Sequence, residues 1–447
     1  MRLGDQPPGT TRNAVRWRFP SLAVATLLVV ASPARAQTEI QHWVAPTGAQ
    51  VYFVESHAVP ILDIAVEFPA GGAYDPAGKA GLGKLTLTML KGGSSKYSES
   101  EIARRIADSG AQLDDNFDLD RAGYRLRTLS SEAEREAATA TLADLLQSPR
   151  FPDEIFDREK ARSVANAAEA ETRPEHIAEQ RLYALMYPGH PYGATETPKS
   201  IASISRADVE QHYRSHYGST LAVVTIVGDL RREAAEALAK NLTSRMAPGT
   251  EPALPPVPAP ISGQSLRIPH PATQSHVLLG LPALVYGDPD YFPLVVGNYI
   301  LGGGGFVSRL MKEVRSKLGY AYSVYSYFYP YRRAGPFLVG LQTRRDQAAE
   351  ALLRTQALIA EFVSRGPDQA ELVSAKKGLV GGFPLRIDNN RKMLAQVATI
   401  GFYKLPLDWL KRYPESVQAV TLEQVRSAFA RRIDPSKLSA VVVGASE

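Results

Sequence analysis

Two stretches of the chain share one hydrophobic rhythm. SRADVEQHYRSHY runs into STLAVVTIVGDL over residues 205–230, and TLEQVRSAFARRI runs into SKLSAVVVGASE over 421–447. Each reads as an amphipathic helix, then Ser-x-Leu, then a valine-rich strand that stops at glycine. Val209 and Val425 are 216 positions apart, and so are Gly228 and Gly444. The domain starts echo each other too, with apolar strands at Val51–Val66 and at His276–Leu281. An internal repeat of this size predicts two homologous domains.

The pattern within each half is strand, strand, helix, strand, several helices, strand. In the first half it predicts strands at Gln50–Glu55 and Ile61–Pro69, and helices at Leu82–Leu90 and Glu99–Ser109. Asp118–Ser130 is a further strand, because Tyr124, Leu126 and Thr128 alternate with Arg125 and Arg127. Helices follow at Glu132–Leu146 and Pro152–Glu171. Between the halves, residues 248–262 (PGTEPALPPVPAPIS) are proline-rich and read as a semi-rigid linker. The expectation is an α+β chain. Domains 37–247 and 263–447 would each hold a mostly antiparallel sheet with helices packed on one side.

Composition changes this picture at one end. Arg12, Arg16 and Arg18 precede a short apolar run, Leu22–Ala31, and Ala34-Arg35-Ala36 offers a small-x-small cleavage site. Residues 1–36 therefore read as a secretory signal peptide, too short in its apolar run to span a bilayer. A periplasmic location follows as the expectation. The whole chain holds 51 Lys+Arg against 46 Asp+Glu. Five of those arginines and one aspartate lie in residues 1–36, which leaves 46 against 45. That balance supports neither nucleic-acid nor membrane binding by the mature chain. With no cysteine, disulfides and thiolate metal sites are excluded.

The stretch richest in candidate chemistry is LGGGGFVSRLMKEVRSKLGYAYSVY, residues 301–325. Gly302, Gly303, Gly304 and Gly305 read as a loop with bare backbone N–H groups. Phe306–Leu318 reads as a helix, with apolar residues at Phe306, Leu310 and Val314 and at Val307, Met311 and Leu318. Gly319 is its expected left-handed cap. Tyr320–Phe328 reads as a strand. A helix that reverses into a strand can set Arg315 beside Tyr322.

The run SRLMKEVRSKLGYAYSV resembles the second-domain signature of the pitrilysin/insulinase metallopeptidases, the inverzincins. The glycine run resembles the glycine-rich segment of the non-catalytic subunit of mitochondrial processing peptidase. The resemblance covers roughly residues 40–447. It implies that Arg315 and Tyr322 contact the substrate backbone and scissile carbonyl, and that Gly302–Gly305 touch substrate or act as a hinge.

GKAGLGKLTLTMLKGGS, residues 78–94, is similar to the family's first active-site helix, Gly-Leu-x-His-x-x-Glu-His-Met. In that motif two histidines at i and i+4 bind zinc and the glutamate serves as general base. Here the three positions hold Lys84, Leu87 and Thr88, while Gly81, Leu82 and Met89 match. The family's third ligand is a late-helix glutamate, seven residues after another. Glu159 matches the first of that pair, Pro174 the turn that follows, and the ligand position is Asn166. No metal is expected in this chain. His190, in a Gly-His-Pro-Tyr-Gly segment similar to the family's, is expected to shape a turn. His212 and His216 have metal-ligand spacing but no glutamate between them, and read as partly buried helix residues.

The resemblance thus implies a non-catalytic half of a heterodimeric peptidase. Its homologous partner would carry zinc, this chain would bind peptide and supply Arg315 and Tyr322, and strand 118–130 would offer an edge to an extended peptide. The competing expectation is a structural or assembly subunit that keeps the fold without chemistry. An autonomous peptidase fits least.

Overall fold

The computed structural model describes residues 39–259 and 262–444. The expected signal segment 1–36, two residues of the expected linker and the last three residues lie outside the described residues.

Six strands form the first sheet: β1 (Gln41–Val44), β2 (Gln50–Glu55), β3 (Ile61–Phe68), β4 (Gln112–Phe117), β5 (Ala122–Leu129) and β6 (Val223–Gly228). Their order is β1-β2-β6-β3-β5-β4. Five form the second: β7 (Ser265–Ile268), β8 (Gln274–Leu284), β9 (Ala321–Phe328), β10 (Gly335–Arg344) and β11 (Ser439–Val443). Their order, β7-β11-β8-β10-β9, repeats the first sheet from β2 onward. Even the exceptional parallel pair recurs, β2 with β6 and β7 with β11, among otherwise antiparallel neighbours.

The first half carries α1 (Leu82–Leu90), α2 (Glu99–Asp108), α3 (Glu132–Gln147), α4 (Asp153–Ala170), α5 (Pro174–Met186), α6 (Pro198–Ala202), α7 (Arg206–His216) and α8 (Arg232–Thr243). The second carries α9 (Tyr291–Asn298), α10 (Ala348–Arg365), α11 (Gln369–Gly382), α12 (Asn390–Phe402), α13 (Trp409–Ala419) and α14 (Leu422–Arg432). The repeated units are α7–β6 and α14–β11. Ser205 and Thr421 cap the two helices, Val209 and Val425 are fully buried, and Gly228 and Gly444 take positive φ.

Alternation within the strands splits each sheet into two faces. Val51, Phe53, Leu62, Ile64, Val224 and Ile226 pack under the first half's own helices. Tyr52, Val54, Ala65, Val223 and Val227 point the other way and join the core of the second half. They meet α12, which lies across β2, β3 and β6. Reciprocally, α5 lies across β8 and β11, with Ala178, Leu182 and Met186 against Val441 and Val443. Each half therefore keeps its helices on one face, as expected, and lends one helix to the other half's open face. Two glycines permit the close approach. A Cβ on Gly401 of α12 would meet the Tyr52 ring at 2.6 Å, and one on Gly280 of β8 would meet the Met186 sulfur at 2.7 Å. Burying a large apolar side chain contributes about 1.5–3 kcal/mol, so these faces hold the halves together firmly.

A polar knot sits at the same junction. Asp120, fully buried in the β4–β5 turn, accepts from Tyr192 Oη at 2.6 Å, Tyr403 Oη at 2.9 Å and the Arg332 backbone N–H at 2.7 Å. Residues 249–259 form neither helix nor strand. Leu254 is buried among Tyr187 and Tyr192, and its carbonyl accepts from Arg333.

Three expectations need correction. The strand expected at 118–130 is shorter. Asp118 folds into a turn by accepting from the backbone N–H groups of Asp120 and Arg121, and β5 pairs on both sides, so it presents no edge. The free edge belongs to β4, whose polar sequence QLDDNF hid it. The glycine run is not an open loop. Gly302 lies buried within a wide helical turn, Tyr299–Gly303, and a Cβ there would strike Ser326 of β9 at 2.4 Å. Finally, the helix expected from Phe306 is broken. Gly305–Val307 is a separate 3-10 turn, and Met311–Lys317 winds with i→i+5 bonds.

Candidate functional site

The broken helix decides what its side chains do. Leu310, Met311 and Val314 are buried, whereas Phe306, Val307 and Leu318 face outward. The Tyr320 N–H reaches back to the Val314 carbonyl at 2.9 Å, and Gly319 takes φ 65°, so the chain reverses directly into β9. Wide turns of this kind are rare and often mark functional positions. The reversal sets the Arg315 guanidinium 5.1 Å from the Tyr322 ring centroid and 4.6 Å from that of Phe306. Arg315 thus stands between two aromatic rings, and among the described residues no carboxylate pairs with it. Tyr322 is 81% exposed and Phe306 70% exposed, on the edge strand of the second sheet and the turn beside it. Sequence spacing anticipated the contact between Arg315 and Tyr322. It missed Phe306, which the pattern had assigned to a buried helix face.

Under this corner the glycine run acts as a spacer. Asn298 donates to the Ser326 carbonyl at 3.0 Å and accepts from its hydroxyl at 2.6 Å, which fastens the Tyr299–Gly303 turn to β9. Gly304 N–H is spent on the Tyr299 carbonyl. Gly305, at φ 61° with open space around it, is the exposed member of the run.

The four zinc-motif positions lie elsewhere, on α1 and α4. Lys84 and Asn166 line a cleft of about 560 Å³ in the first half, which Arg315 and Tyr322 do not reach. Lys84 Nζ is 3.2 Å from Glu196 Oε2. Leu87 is 2% exposed and packs in the first core, with its carbonyl bonded to the Tyr124 hydroxyl. Thr88 turns its hydroxyl back onto the Lys84 carbonyl at 3.1 Å, and Asn166 is exposed. An ion-paired ammonium, a core leucine and a threonine satisfied by its own helix are no ligand set for zinc. Among the described residues no group of three or more His, Cys, Asp or Glu side chains is placed to hold a metal. Glu159, which matches the first glutamate of the family's pair, is buried and pairs with Arg158 and Arg162.

Sequence reasoning overlooked Asp75 at the mouth of this cleft. Its carboxylate oxygens accept from Gly81 N–H and Gly83 N–H, each at 2.7 Å, and so complete the start of α1. Burial pushes its carboxyl up to about 7 against those backbone bonds. The three histidines are structural. His190 Nδ1 accepts from Tyr192 N–H, so Nε2 donates to the Pro255 carbonyl. His212 and His216 bond the Ala70 and Pro69 carbonyls, and burial lowers both, His212 to about 3.

Comparison with known proteins identifies relatives of this fold. Residues 50–197 match the family described as insulinase (peptidase family M16), and residues 203–379 match the peptidase M16 inactive domain. A crystal structure of a peptidase M16 inactive domain from Pseudomonas fluorescens superposes with TM-score 0.87. It is 33% identical and covers 91% of this chain and 98% of that one. A Helicobacter pylori protein named non-peptidase homolog YmxG is 25% identical over 88% of this chain and 91% of its own length. A Bacillus subtilis protein named uncharacterized zinc protease YmxG is 24% identical over 79% and 86%.

Proposed function

The chain belongs to the insulinase family of peptidases, M16, and on that premise we propose that it is the zinc-less subunit of a heterodimeric metallopeptidase. In this reading it binds peptide and presents Arg315 and Tyr322 to the active site of a homologous partner that carries the zinc. The observation that supports it most is the contact of half-buried Arg315 with the exposed rings of Phe306 and Tyr322. A half-buried guanidinium without a carboxylate partner, oriented by two aromatic rings, keeps its donors available to an incoming carbonyl. That it sits on a chain with Lys84, Leu87, Thr88 and Asn166 at the positions of the family's zinc residues fits a division of labour between two subunits.

The chemistry of each group follows from its type. Arg315 offers a planar fork of donors to a peptide carbonyl. The Tyr322 hydroxyl donates to the scissile carbonyl oxygen as that oxygen gains negative charge. The zinc of the partner supplies the Lewis acid. The free edges of β4 and β9 offer backbone donors and acceptors to an extended substrate. Export to the periplasm through residues 1–36 belongs to the same proposal.

The test is Tyr322→Phe in the complex assembled with the zinc-bearing homologue. Removing an oxyanion donor costs about 2.7–4 kcal/mol, so kcat should fall roughly 10²–10³-fold with the complex intact. Unchanged turnover would refute the catalytic share and leave an assembly role.

A further inference from the structure

Beside the Asp120 knot lies a cavity of about 510 Å³, bordered by the segment that joins the two halves. Small-molecule sites commonly span about 300–1,000 Å³. Rings line it at Tyr286, Tyr331, Phe402 and Tyr403, and cations at Arg332, Arg333 and Lys404. Glu251 is the acid among its lining residues. Arg332 is held in place, with its backbone N–H on Asp120 and its guanidinium 5.0 Å from the Phe402 ring centroid. Arg333 spends Nε and Nη2 on the Leu254 carbonyl, a neutral partner that does not offset its charge. The cavity therefore carries an excess of positive charge.

Lys404 reaches this cavity from a strained position. Tyr403 caps α12, and the chain then closes the helix with two reversed bonds, Leu405 N–H to the Ile400 carbonyl at 2.9 Å and Lys404 N–H to the Gly401 carbonyl at 3.2 Å. Glycine is the usual residue at the middle of such a closure, because the backbone there is left-handed and a Cβ is penalised. Lys404 takes φ 54° in its place. Strain of this kind gathers at ligand clamps, and here it sets an ammonium at the cavity mouth.

Glu251 shows what the cations are spaced to hold. Its carboxylate bonds Arg332 through one oxygen and lies 3.6 Å from Lys404 Nζ through the other. Its side chain is more than half exposed and belongs to the stretch 249–259, which forms neither helix nor strand. It can swing into water without breaking a backbone ladder, and exposed ion pairs hold such a group only weakly.

We propose that the cavity is a binding site for a small carboxylate carrying a planar ring. The ligand's carboxylate displaces Glu251 between Arg332 and Lys404, where charge-assisted bonds favour it. Its ring packs on the aromatic walls, which reward offset or edge contact. The site stands apart from the peptide-binding reading and from the cleft of Lys84 and Asn166.

The experiment is isothermal titration calorimetry on the purified full chain at constant ionic strength. The probe is indole-3-acetate. Indole-3-acetamide keeps the ring without the charge, and acetate keeps the charge without the ring. The acid should bind saturably, and both controls at least about tenfold more weakly. Glu251→Gln removes the internal competitor and should tighten the acid about two- to fivefold, a gain that a damaged fold cannot produce. Lys404→Gly should weaken it about tenfold without lowering Tm, since glycine relieves the backbone. No saturable binding, equal affinity for the acid and either control, or an affinity unmoved by Glu251→Gln or by Lys404→Gly would each overturn the proposal.

Discussion

Asp120→Ala should be among the most damaging single changes outside the apolar core. The side chain is fully buried and takes three hydrogen bonds, from Tyr192, Tyr403 and the Arg332 backbone. Alanine removes all three acceptor sites and leaves three buried donors. Each orphan costs about 1–3 kcal/mol, and a water entering the vacated space recovers part of that. Relief also comes from no longer burying a carboxyl that its surroundings hold above its usual pKa. The net expectation is a loss of about 3–6 kcal/mol. Tyr403→Phe removes one of the three bonds and should cost only about 1 kcal/mol. Urea denaturation gives the magnitudes. Hydrogen exchange gives the location: amides of β6 and β11, the interior strands on which α12 and α5 lie, should lose protection together, because Asp120 joins elements of both halves. A loss below about 1 kcal/mol for Asp120→Ala, or exchange that rises in one sheet alone, would refute this account of the junction.

Two further outcomes follow from the site. Phe306→Ala should leave stability nearly unchanged, since the ring is 70% exposed. It should slow the assembled peptidase a few-fold, because one cation–π contact of about 0.5–1 kcal/mol positions Arg315; a drop of several degrees in Tm would show the ring to be structural instead. Stability should also fall as pH drops from 6.5 towards 3. An unfolded imidazole takes up a proton near 6.5 while folded His212 resists until about 3. The unfolded state therefore holds the extra proton in that window, and stability drains by up to about 1.4 kcal/mol per pH unit. His216, lowered by burial as well, acts in the same direction. Urea midpoints at pH 4.5, 5.5 and 7 should show a shallower slope for His212→Gln than for the wild type, and equal slopes would contradict this assignment.

Much of the architecture was legible because its signals are local. The α7–β6 and α14–β11 units repeat in apolar spacing, in capping residue and in terminal glycine, so the duplication shows in letters alone. Arg315 and Tyr322 could be paired because one helix end and one strand start fix their relation. What escaped depended on distant neighbours. β4 is an edge strand that faces water, so its polar residues carry no alternation. The run from Gly302 to Gly304 reads as freedom, yet its first member is glycine because Ser326 leaves no room for a Cβ. The loan of α5 and α12 was hinted at only by β6 and β11, which are buried along their whole length, as strands covered on both faces are.

That loan sets a timetable for synthesis. When the ribosome has finished β6, the first sheet is complete but Tyr52, Val54, Val223 and Val227 still have nothing to lie against. Their cover, α12, begins at Asn390, about 160 residues later. For roughly 8–30 seconds of translation the growing polypeptide carries an uncovered sticky surface, the kind that recruits holding chaperones or clumps with its neighbours.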